Sequence, residues 1–164
     1  MLTIQITKRA DGSGVLRCTR ADGSATWQKQ AGHNAAFFAL HDLTHFAVES
    51  VLGFQRGFYG LIAQGWDIDD TTGKTARGPL PPEACAAECI VGFFDGERAS
   101  GMLLTTEDYD LFARPEMPRL SEEDIARVRA RRGELFSQWA AIPPGETLEL
   151  NFPYSEERRH QACP

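Results

Sequence analysis

Two Asp-Gly pairs, Asp11-Gly12 and Asp22-Gly23, do most to limit what this chain can fold into. Glycine accepts the positive φ that tight hairpin turns demand, so Asp-Gly between alternating stretches signals a hairpin. Here "LTIQITKR" alternates before the first pair, "VLRCTR" lies between the two, and "ATWQKQ" follows the second. Residues 2–30 are therefore expected to form a three-stranded antiparallel meander whose apolar face needs a cover. The repeated "ADGS" reflects turn chemistry, not an architectural repeat. "ETLELNF", 146–152, alternates again and is expected as a fourth strand beside the meander.

Helices are expected to supply the cover. Residues 34–53 read as a long helix with Asn34 as N-cap and Gly53 and Gly57 as stop signals. A second helix opens at "PPEACAAEC" and runs toward Phe94, with Pro82 in its first turn and Glu83 at the positive end of its dipole. Residues 105–113 read as a short helix capped by Thr106, and 120–142 as a long one opened by Ser121 and Asp124 in a capping-box arrangement. Between the first two helices, "FYGLIAQGW" suits a short helix or strand and "DIDDTTGKTARGP" an exposed loop. The expected fold class is α+β: an N-terminal antiparallel β-meander joined by a C-terminal strand, with three to four helices packed on one face. One domain over 1–154 and a frayed tail over 155–164 complete the expectation.

Composition narrows the function classes. A chain of 164 residues with 42% apolar and 24% charged residues has ordinary globular usage, not that of a disordered chain. Its net charge of −6 excludes broad, charge-driven nucleic-acid binding, which needs a basic face. The one basic concentration, "RVRARR" at 127–132, spreads its arginines around a helix and reads as a solvated face. No apolar run is long enough for a membrane span, and the alternating N-terminus is unlike a signal peptide. Cys18, Cys85, Cys89 and Cys163 lack CxxC spacing, so a cytoplasmic setting is expected. Cys85 and Cys89 share a helix face and read as small buried apolar residues, a thiolate metal pair being the alternative.

The chemistry lies in "HDLTHFAVES", 41–50. At about 100° per residue, Phe37, Leu40, Leu43, Thr44, Ala47 and Val51 form one apolar stripe. His41, Asp42, His45 and Glu49 then fall along its edge, where a cleft meets an apolar wall. Two histidines four apart on a helix project side by side, close enough for both imidazoles to reach one metal ion. Asp42, next to the first, can orient a water on that metal and take its proton.

The pattern H-D-x-x-H resembles the H-E-x-x-H helix of the zincin metallohydrolases, with Asp replacing Glu. The resemblance implies His41 and His45 as ligands of a divalent metal such as zinc, and Asp42 as general base. Val48 and Val51 stand where the longer metzincin pattern has Gly and His, so a third ligand must come from elsewhere. Glu49 is one candidate, either as ligand or as the group that fixes an imidazole tautomer. His33, Asp67, Asp69, Asp70, Glu83 and Glu88 are the others. The longer segment "HDLTHFAVESVLGF…GFYGLIAQGW" is similar to a motif of uncharacterised bacterial proteins, which implies that helix and Gly-rich connection form a unit. Tyr59, Gln64 and Trp66 are then candidate pocket walls.

Other signatures are missing. There is no GxSxG nucleophile elbow, "DGSGVLR" is a hairpin and not a phosphate loop, and "DIDDTTG" lacks the spaced ligands of an EF-hand. The leading expectation is a metal-dependent hydrolase acting on a small or peptide-like substrate. The alternative is a non-catalytic binding or protein-interaction module, in which the same stripe is structural, lines a pocket or forms a homo-oligomer seam.

Overall fold

A computed structural model describes residues 1–30 and 35–155. Asn34 as N-cap, His33 as metal donor and the tail beyond 155 therefore lie outside the described residues. The strands are β1 (Leu2–Lys8), β2 (Gly14–Thr19), β3 (Ala25–Lys29) and β4 (Thr147–Phe152). They form one antiparallel sheet in the order β3-β2-β1-β4. Gly12 and Gly23 take φ of 80° and 85°, the left-handed values that make both hairpins close. Register follows the alternation: Ile4 opposes Cys18 and Leu150, and Leu2 opposes Phe152, all pointing inward.

Five helices follow among the described residues: α1 (Ala35–Leu52), α2 (Phe58–Ala63), α3 (Pro82–Ser100), α4 (Thr106–Phe112) and α5 (Glu122–Ala141), of which α1 and α2 meet the sheet and α3 and α5 pack on α1. The α+β expectation holds, including the C-terminal strand beside the meander. "FYGLIA" of the "FYGLIAQGW" stretch is helix, and the expected loop after it contains a 3-10 turn at Ile68–Thr72. The caps explain the helix starts. Ser121 and Asp124 form a reciprocal capping box at α5. At α4 the box is Thr105 with Asp108, one residue before the expected cap, because only Thr105 has an acid three positions on at N3. Among the described residues no helix is long and apolar enough to cross a membrane.

Helix α1 is the central rod, packed against α5, α3 and α2 and touching β2. Two glycines allow α2 to come close. A Cβ on Gly57 would strike the Glu49 carboxylate, and one on Gly60 would run into the backbone carbonyl of Gln55. Glu83 accepts from the backbone N–H of Gln55 at 2.5 Å and of Arg56 at 2.7 Å, which ties the 53–57 connection to the start of α3.

Two of the four arginines of 127–132 depart from the expected solvated face, while the ion pairs of Arg127 and Arg131 are with acids of their own helix. Arg129 and Arg132 both reach the buried Glu97 on α3, Arg132 at 2.9 Å, and the N–H of Leu104 donates to Glu97 at 3.1 Å. A buried carboxylate needs cationic partners, and α5 provides them. Cys85 and Cys89 are half-buried rather than buried, and with Cys18 they are free thiols.

Candidate metal centre

Helix α1 carries the H-D-x-x-H residues along the flank that α2 and α3 cover. His45 and Glu49 are therefore interior groups, 2% and 0% exposed, and not the boundary residues that periodicity suggests. Asp42 is buried as well. The alternation of one helix locates its faces, but the neighbours decide which of them sees water.

Helix α3 runs antiparallel to α1 and matches each histidine with an acid. His41 Nδ1 lies 2.7 Å from Asp95 Oδ2, and His45 Nε2 lies 3.3 Å from Glu88 Oε1. His45 Nδ1 is 3.2 Å from Glu49 Oε1 on its own helix. The two rings stand edge to face with centroids 4.7 Å apart. Phe37 stacks on His41 at 5.5 Å and Phe58 lies 5.2 Å from His45, so aromatic walls fix both rings.

A carboxylate on Nδ1 favours the Nδ1–H form and leaves Nε2 as the lone-pair donor. Asp95 does this for His41 and Glu49 for His45. His41, His45 and Glu88 then offer ligand atoms that all lie within 4.8 Å of one another. These residues could hold a metal ion. Two imidazoles and one carboxylate, with a further position left open, are a donor set that catalytic zinc uses. The 3.3 Å from His45 Nε2 to Glu88 Oε1 matches the edge of a tetrahedron with bonds of about 2.0–2.1 Å.

Glu49, expected as third ligand or as orienter, stands outside that group. Besides His45, its carboxylate accepts the backbone N–H of Tyr59 at 3.0 Å and of Gly60 at 3.3 Å. Burial pushes its pKa up and these donors oppose it. The three donors on this carboxyl favour its charged form against that burial. Burial alone would lower the His45 pKa, but hydrogen bonds and charge from Glu49 and Glu88 outweigh it and lift it to about 10. Burial works to raise the Glu88 carboxyl, yet the imidazoles of His45 and His41 hold it below its ordinary value.

Asp42 faces Gln30, whose Nε2 donates to Oδ2 at 2.5 Å while its Oε1 accepts the Gly14 N–H at 2.8 Å. Tyr59 adds a hydroxyl bond to the Asp42 backbone carbonyl. Burial raises the Asp42 pKa to about 7, against the pull of His45, His41 and Gln30. Its charge is thus felt at both imidazoles.

The other sequence candidates are elsewhere. Asp67 and Asp70 cap the 3-10 turn, Glu83 holds the 53–57 connection, Trp66 lies under Arg77, and Gln64 donates to the Gln55 carbonyl. Asp95 was not among the candidates. Its signal is that Glu88 and Asp95 are seven apart on one helix, hence on one face, as His41 and His45 are on theirs. Set against protein-family models, curated proteins and solved structures, the chain finds no match in any of the three.

Proposed function

We propose that His41, His45 and Glu88 bind a divalent metal ion, with zinc the best fit, and that the protein is a metal-dependent hydrolase of a small or peptide-like substrate. The observation that carries this reading is the pairing of both Nδ1 atoms with carboxylates, while His45 Nε2 lies beside Glu88 and one ligand atom from each of His41, His45 and Glu88 falls within 4.8 Å of the others. Holding imidazoles by their outer nitrogen is how proteins orient metal-binding histidines. A divalent ion in such a donor set acidifies water and so supplies a hydrolytic nucleophile. Asp42 is the general base in this account. A carboxyl with a pKa of about 7 takes up and returns a proton near neutrality, and Gln30 keeps it in place. Glu49 and Asp95 are positioning residues for the two rings. The free thiols Cys18, Cys85 and Cys89 suit a cytoplasmic setting.

A second reading has its own support. Without an ion, an imidazolium at His45 is bridged by Glu49 and Glu88, and the polar seam satisfies itself. The protein would then be a binding or interaction module with a structural ionic core. Metal analysis of protein purified without a polyhistidine tag separates the two. The hydrolase reading expects one zinc per chain in the wild type and its loss in Glu88→Gln and His41→Ala. Wild type that stays metal-free after incubation with zinc, while folded, overturns it. With metal bound, Asp42→Asn should keep the zinc and abolish hydrolysis of nitrophenyl esters and short peptides. Full activity in that variant removes Asp42 as the base.

A further inference from the structure

Strand alternation sends Leu2, Ile4, Ile6, Leu16 and Cys18 toward the helices, and no described helix covers the opposite face of the sheet. That outer face has two unlike halves. On the β1/β4 side the polar side chains pair with one another across the strands. Thr3 donates to Asn151 at 3.3 Å, Gln5 to Glu149 at 2.8 Å, and Thr7 and Thr147 share a bond of 2.8 Å.

The β2/β3 side is different. Trp27 stands 67% exposed on β3, directly opposite Arg17 of β2. Lys29, two residues along the same strand, points to the same face. Among the described residues neither the Arg17 nor the Lys29 side chain has a hydrogen bond or an ion pair. In a chain of net charge −6, two cations that make no ion pair among the described residues flank one exposed indole. A concavity of about 360 Å³ opens between Trp27 and Glu149, with Arg17, Gln5 and Val15 on its floor. That volume is within the range of small-ligand sites.

We propose that this face binds a flat aromatic anion of the nucleoside-phosphate class, its ring stacked on Trp27 and its phosphate held by Arg17 and Lys29. An indole face stacks on any base, and a guanidinium meets phosphate through paired N–H groups. Glu149, already accepting from Gln5, repels an anion from the β4 side and so sets the direction of the ligand. A neutral saccharide could use the indole and the amide of Gln5, but it would leave both cations unmatched. The site is on the far side of the sheet from His41 and His45, and it stands whether or not those residues hold a metal.

Calorimetric titration with adenosine 5′-monophosphate tests the proposal, run in EDTA so that phosphate binding to a metal is not counted. Adenosine, ribose 5-phosphate and maltose serve as the comparison ligands. The nucleotide should bind one to one and at least about tenfold more tightly than either of its halves, since ring and phosphate each contribute. Trp27→Ala and Arg17→Gln should each weaken it by about tenfold or more while leaving the circular dichroism unchanged, because both side chains are exposed. Added salt should weaken it further. Absence of binding at about 10 mM nucleotide, equal affinity for adenosine, tighter binding of maltose, or an unaltered affinity in Trp27→Ala would each overturn the proposal.

Discussion

Helix α3 makes two ionic seams, and they are built on opposite principles. Toward α5, the buried Glu97 is bound by two guanidiniums and one backbone amide. Every partner there is permanently charged or part of the backbone, and Arg132 is anchored further by the Phe94 carbonyl and ring. Toward α1, the partners of Asp95 and Glu88 are imidazoles, whose ring nitrogens can give up a proton and take a metal ion in its place, which a guanidinium cannot do. Glu88 is also 47% exposed along its side chain, against 2% for Glu97. A guanidinium pair closes a seam for good. An imidazole pair with an accessible acid can exchange its proton for a cation.

Breaking the closed seam should have the largest effect on stability. Glu97→Ala leaves two arginines without their carboxylate, a loss of about 3–5 kcal/mol by chemical denaturation, with zinc stoichiometry unchanged in the fraction that folds. If Glu97→Ala costs less than about 1 kcal/mol, the seam is not the structural clamp described. Next comes Glu49→Ala, which strips the partner from His45 and from the Tyr59 and Gly60 amides. It should cost about 2–4 kcal/mol and also weaken metal binding, because one group serves both roles. Asp95→Asn is gentler. It keeps a hydrogen-bond partner for His41 but removes the charge, so zinc affinity should fall by about 10–100-fold with little change in unfolding free energy.

The metal-free protein should also show a pH dependence. The folded-state pKa of His45 is raised from 6.5 to about 10, so its stabilisation is fully present below 6.5 and lost as pH rises through about 10. Urea denaturation across that interval should show a decline that His45→Gln removes. Zinc affinity should rise with pH over the same range, since binding must displace that proton. An affinity flat in pH would mean that His45 is not a ligand.

How much of this was legible beforehand follows from the range of each interaction. Turns and caps are local, so Asp11-Gly12, Asp22-Gly23 and the Ser121–Asp124 box could be read directly, and with them the meander and the start of α5. At α4 two threonines precede the acids, and the expected cap at Thr106 falls one residue late, because the acid at N3 belongs to Thr105. His41 and His45 were visible because one helix turn brings them together. Glu88 was only one of several acids in view, since its place depends on the register of α3 against α1, which no local pattern carries. Asp95 was missed for the same reason. The arginines of α5 read as solvated because a charge run shows nothing of the buried acid, 32 and 35 residues away, that it meets.

The central claim is that two imidazole nitrogens and one carboxylate converge on a single point between α1 and α3. Anomalous diffraction at the zinc edge from crystals grown with zinc tests it directly. The account predicts one peak at about 2.0–2.2 Å from Nε2 of His41, Nε2 of His45 and a carboxylate oxygen of Glu88, with Asp95 and Glu49 still on the Nδ1 atoms. No peak at that place, with His45 left bridging Glu49 and Glu88 at their 3.2 and 3.3 Å contacts, would contradict it.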